Sequence, residues 1–73
     1  MLNLMPSSNI ENATYDGTDL IVEFKGGQQY IYFNVPESVV FGWEIAESAG
    51  KYHNTHIKGC YEYKRLEEVE EVV

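Results

Sequence analysis

Apolar and polar positions alternate through three short runs in the first half of the chain. In "SSNIENATYD" the alternation is loose, passing through Ile10, Asn12 and Thr14 to Asp16-Gly17, a common turn dipeptide, and it predicts a first strand. "TDLIVEFK" is stricter, with Leu20, Val22 and Phe24 on one side and Asp19, Glu23 and Lys25 on the other, the pattern of a half-buried strand. Ile21 is the apolar exception on the polar side. Gly26-Gly27 supplies a tight turn, and "QQYIYF" returns as a third strand.

The loop between the second and third strands decides where Tyr30 and Tyr32 point. With a two-residue loop, Gly26-Gly27, Val22 stands opposite Ile31, and the tyrosines lie on the far face with Ile21 as a platform for stacking. With a three-residue loop, Lys25 to Gly27, Val22 stands opposite Tyr30, and the tyrosines join Leu20, Val22 and Phe24, their hydroxyls at the rim of a core.

Beyond the strands the period changes. Pro36 suits the first turn of a helix, and "PESVVFGWEIAES" holds no other breaker except Gly42, so the pattern predicts about three helical turns. At roughly 100° per residue Val39, Val40, Trp43 and Ala46 share one side, and Phe41 and Ile45 fall nearly opposite. That second stripe, with the small Gly42 and Ala49 nearby, predicts a surface covered by something else, such as a second copy of the chain. Gly50 is expected to end the helix. "KYHNTHIKG" then reads as a short second helix or structured loop, and "CYEYKRL" as a last short strand. The fold class is thus α+β: a small antiparallel meander of three to four strands, one main helix packed on one face, and a short second helix or loop. Residues 1–6 read as an N-terminal arm or edge strand, 7–65 as a single domain, and 66–73 as an acidic tail.

A chain of 73 residues leaves room for one domain. Its lone cysteine, Cys60, excludes an intrachain disulfide, and with no apolar run long enough to span a bilayer the expected setting is a reducing cytoplasm. Twelve acidic against five basic side chains give a net charge of -7, which disfavours a general coat for DNA or RNA, since such affinity comes mainly from Lys and Arg neutralising phosphates. What remains is a local basic patch, a ligand held by stacking, or a protein partner with a basic surface.

One stretch concentrates the chemistry. "GKYHNTHIKGCYEYKR" contains four of the five basic residues, both histidines and three tyrosines. Charge for phosphate, rings for stacking and amides for base edges are what recognition of a nucleotide or short single strand requires. Lys51, Lys58, Lys64 and Arg65 are the candidates for phosphate, and Tyr52, His53 and Asn54 for base or sugar. His53, His56 and Cys60 have metal-like spacing, but structural zinc takes four ligands and only Glu62 offers a fourth, so no metal or other cofactor is expected and Cys60 reads as a buried, inert thiol. Glu44 and Glu47, three apart on the helix, read as its wet face. A Cys60–His56 pair lacks an orienting third group, and Gly26-Gly27 belongs to a hairpin and not to a phosphate loop, so no enzymatic activity is expected.

Taken in order, Ser7-Ser8 with Ile10, Tyr15-Asp16, the alternating Leu20, Val22 and Phe24, Gly27, Tyr30 and Tyr32, Val35-Pro36, then Ala46, Ser48, Gly50, Tyr52, Asn54, Ile57 and Lys58 form a specific series. From about Ser7 to Tyr63 the chain resembles the KTSC domain, a family named for its occurrence at the carboxyl end of some lysyl-tRNA synthetases. The resemblance implies a small protein of bacteria or their phages, or an appendage of a larger one, with RNA binding as the usual suggestion. His53 departs from the family's usual aromatic, Trp43 is unusually large, and the tail is strongly acidic. The leading expectation is a non-catalytic recognition module for nucleotide or RNA-like ligands through Tyr30, Tyr32, Tyr52, His53, Asn54, Lys58 and Lys64. The alternative is an acidic protein-interaction or inhibitor module of phage type, docking on a host protein through its tail or through Phe41, Ile45 and Ala49. A homo-oligomer is compatible with either; a membrane partner is not expected.

Overall fold

The computed structural model describes Leu2 and residues 4–66, so all of the acidic tail except Leu66 lies outside the described residues. Strands β1 (Ile10–Tyr15), β2 (Leu20–Phe24), β3 (Gln29–Tyr32) and β4 (Tyr63–Leu66) form one sheet in the order β1-β2-β3-β4, every neighbouring pair antiparallel. Between β3 and β4 run helix α1 (Glu37–Ile45), helix α2 (Ala49–Tyr52) and a π-helical segment, His53–Ile57, continuous with α2. This is the expected α+β meander. Among the described residues no helix is long and apolar enough to cross a membrane.

Turn chemistry holds the meander together. Asp16 Oδ1 accepts hydrogen bonds from the backbone amides of Thr18 (2.9 Å) and Asp19 (2.7 Å), which lowers its pKa, while Gly17 takes a φ of 100°. In the next hairpin the Phe24 amide donates to the Gln28 carbonyl and Gly27 to the Phe24 carbonyl, both at 2.8 Å, so the loop is the three residues Lys25 to Gly27. Only Gly27 of its two glycines has a positive φ, 94°. The register follows: Leu20 pairs Tyr32, Ile21 pairs Ile31 and Val22 pairs Tyr30.

Directly opposed residues share a face, and the rungs sort the sheet. Tyr15, Leu20, Tyr32 and Tyr63 form one rung, and Ala13, Val22, Tyr30 and Arg65 the next, both on the helix-covered side. Thr14, Ile21, Ile31 and Lys64 make a rung of the opposite side. Tyr32 is thus core, and the three-residue alternative holds.

Helix α1 starts where Pro36 precedes it as N-cap and buries Val40 and Trp43 against Leu20, Val22, Val35 and Ile57 in one cluster. Trp43 is fully buried, and its indole N–H donates to the Ala49 carbonyl at 2.9 Å, satisfying the single polar atom of a side chain otherwise worth about 3–5 kcal/mol of packing. The helix ends sooner than the spacing predicts. Ala46 leaves the helical region (ψ 144°), and Ser48 begins a second helix as an N-cap whose hydroxyl accepts from the Lys51 amide, so Gly50 lies inside α2 and terminates nothing. That break carries Ala49 away from the Phe41–Ile45 stripe and into the core, at 1 % exposure, which corrects its assignment to an exposed interface. Upstream of the sheet, the Leu2 amide donates to the Ala13 carbonyl at 2.8 Å, and Leu2 and Leu4 pack on the core, as an edge arm would.

Candidate functional site

A cleft of about 600 Å³ opens on the covered side of the sheet, beside the part that α1 fills. Phe24, Lys25 and Gln28 of the β2–β3 hairpin form one wall. Tyr30, Tyr32 and Tyr63 form the sheet side, and His53 and Asn54 with Lys58 and Gly59 close it from the helical segment, while Ser8 and Asn9 complete the rim. Among these described residues there is no Asp, Glu or Cys, although the whole chain has a net charge of -7.

The π-helical segment explains why a histidine forms the floor. The Lys58 amide donates to the His53 carbonyl at 2.7 Å, a bond across five residues that accommodates one extra residue in the turn. His53 and Ile57 are carried inward, and Asn54, Thr55 and His56 remain exposed. His53 is 4 % exposed, with ring centroids 5.5 Å from those of Phe24 and Tyr32 and 5.9 Å from that of Trp43. His53 Nε2 lies 3.1 Å from the Tyr32 hydroxyl. Burial lowers the pKa of His53, with the Asn54 side chain opposing and the charge of Lys58 adding to the effect. Burial, helped by Tyr30 and Tyr63, pushes the Tyr32 phenol up to about 12. The hydrogen bond therefore joins two groups that are both neutral at pH 7. Neither group is a free acid or base.

Over this floor the aromatic rings become wetter. Phe24 meets Tyr30 edge to face at 5.7 Å, Tyr30 meets Tyr63 at 5.8 Å, and Tyr63 itself is 58 % exposed. The cleft thus offers a ring for stacking, the amides of Asn9, Gln28 and Asn54 for hydrogen bonds, and the ammonium groups of Lys25 and Lys58 for an anion.

Of the residues the sequence singles out, Tyr30, Tyr32, His53, Asn54 and Lys58 meet in the cleft. Tyr52 and Lys64 do not line it. Tyr52 turns to α1, donating its hydroxyl to the Val39 carbonyl at 2.9 Å across Gly42 and stacking on His56 at 4.4 Å. Lys64 is on the opposite side of the sheet because it pairs with Ile31, one residue out of phase with the tyrosines. Cys60, expected to be buried, is exposed, since Gly59 at a φ of 81° turns the chain outward. Among the described residues no three His, Cys, Asp or Glu side chains come together as a metal would need. Lys25, Phe24 and Tyr63 escaped the sequence reading as site residues. The first two lie in a hairpin distant in sequence from the His53 segment, and only the meander joins them. Phe41 and Ile45 are 60 % and 68 % exposed on the outer side of α1.

The KTSC domain model matches residues 6–66, and this chain belongs to that family. A KTSC domain protein of known crystal structure from Yersinia pestis superposes with a TM-score of 0.79 at 28 % identity, covering 88 % of this chain and 93 % of the other. A protein of Tsukamurella paurometabola is 41 % identical over 54 residues, 71 % of this chain and 81 % of its own length. Lysine–tRNA ligases of Trichormus variabilis and Nostoc punctiforme are 38 % identical over 61 residues and 40 % over 47 residues. The chain matches only 11 % and 8 % of those two ligases.

Proposed function

We propose that this KTSC domain is a binding module without catalysis of its own, and that its cleft receives a nucleotide or a nucleotide unit of RNA. The observation that carries the reading is an acid-free cleft with two lysines and a half-exposed aromatic wall on a chain of net charge -7. Such a cleft is the place where the field of an acidic protein admits an anion. Tyr63 and Tyr30 supply faces for a base, Asn54, Gln28 and Asn9 supply donors and acceptors for its edge, and Lys25 and Lys58 take the phosphate. The occurrence of a similar segment in lysine–tRNA ligases, which by name act with tRNA, agrees with a ligand of this chemistry.

The test is an NMR titration of the labelled protein with millimolar nucleoside monophosphates. Shifts should concentrate at Lys25, Tyr30, Asn54, Lys58 and Tyr63. Replacing Tyr63 by Ala removes one stacking ring, worth roughly 1–3 kcal/mol, and weakens binding by about 5- to 150-fold. A spectrum untouched at these residues would sink the proposal.

A second reading rests on Phe41 and Ile45, one helical turn apart and both well exposed on α1. It makes that face the contact with a second copy of the chain. A monomeric mass by light scattering at the highest soluble concentration would exclude it.

A further inference from the structure

We infer that the cleft is built for a single nucleoside phosphate and not for a continuous nucleic-acid strand, an inference that rests on the reading of the cleft given above. A site that tracks a strand needs a row of cations along the backbone and a series of rings for successive bases. Neither is present. Of the five basic residues only Lys25 and Lys58 line the cleft. Arg65 is opposite Tyr30 on the same side of the sheet, on the outermost strand, and Lys64 is on the other side. The positive track therefore has two members, or three with Arg65.

The rings also meet as a cluster: Phe24 and Tyr30 pack edge to face, Tyr32 is buried, and Tyr63 alone of them is well exposed. That arrangement offers a seat to one base. The volume of about 600 Å³ agrees, falling inside the span of sites that enclose small molecules.

The experiment compares a nucleoside monophosphate with a short oligonucleotide of the same base, each titrated into the 73-residue chain over a series of salt concentrations. The oligonucleotide should bind no more than a few-fold tighter than the monophosphate. Its log K against log salt slope should be no steeper than about -2, because each neutralised phosphate of a single strand contributes about -0.7. A hundredfold preference for the oligonucleotide with a slope near -4 would overturn this inference and leave the cleft as an RNA site. Failure of both ligands to bind would overturn the underlying reading as well. The double variant Lys25→Ala, Lys58→Ala alters two exposed side chains and should fold normally; it should lose most of the monophosphate affinity and nearly all the salt dependence. Unchanged affinity in that variant would remove the cleft from consideration.

Discussion

The fold brings a tyrosine and a histidine together twice, with opposite results. Tyr32 and His53 share a hydrogen bond at the floor of the cleft, ring planes nearly perpendicular at 79°, sealed among Phe24 and Trp43. Tyr52 and His56 lie closer, at 4.4 Å, yet outside the cleft, and the Tyr52 hydroxyl is committed to the Val39 carbonyl. The two histidines are three positions apart in one π-helical segment, and the wider turn sends one in and leaves the other out. The same pair of side chains is part of the core where water is excluded, and peripheral where it is not.

The difference can be broken most directly at His53. His53→Ala empties the space among three aromatic rings and strands the Tyr32 hydroxyl, so urea unfolding should show a loss of about 3 kcal/mol. A loss below about 1 kcal/mol would make the inner pair no different from the outer one. Acid sharpens the contrast without mutation. Because burial lowers the pKa of His53 in the folded state, the unfolded chain takes up a proton near pH 6.5 that the folded chain refuses. Its contribution is fully present above pH 6.5 and declines as the pH falls toward the lowered folded value, by at most about 1.4 kcal/mol per pH unit. His53→Phe should flatten that part of the stability profile; an unchanged slope would contradict the assignment.

The outer pair is tested through its anchor. A Cβ at Gly42 would lie 2.5 Å from the Tyr52 hydroxyl oxygen, so Gly42→Ala should cost about 1 kcal/mol despite the better helix propensity of alanine. In a Tyr52→Phe background the cost should shrink, because the nearest atom is gone and the next lies at 3.2 Å. Equal losses in both backgrounds would show that Tyr52 is not the cause. The smallest effect is expected at His56 itself, where replacement by Ala should change the midpoint of thermal unfolding by an amount equivalent to less than about 0.5 kcal/mol.

Much of this architecture is legible in the sequence because burial imposes a period. Leu20, Val22 and Phe24 announce a half-buried strand, and Val40 and Trp43 announce the inner side of α1. The early end of α1 was also written there, in Ser48, but an N-cap serine within a helical run reads equally well as a surface residue. The inward turn of His53 was not legible, since the extra residue of a π-helical turn has no distinctive composition. The cleft was half visible. Its helical side lay in one conspicuous stretch, whereas Lys25 and Phe24 come from a hairpin that only the order of the strands brings alongside.

The three-residue loop from Lys25 to Gly27 has a meaning that its size conceals. A strand has only two faces, so the loop acts as a parity bit for everything after it. Residues inserted there that the loop itself absorbs leave Val22 opposite Tyr30 and preserve the cleft. A slip of the pairing by one residue exchanges the rows, presenting Ile31 and Lys64 where the tyrosines and Arg65 now stand. The closing pair of Phe24 and Gln28, and not the number of residues it encloses, thus decides which face the tyrosines take.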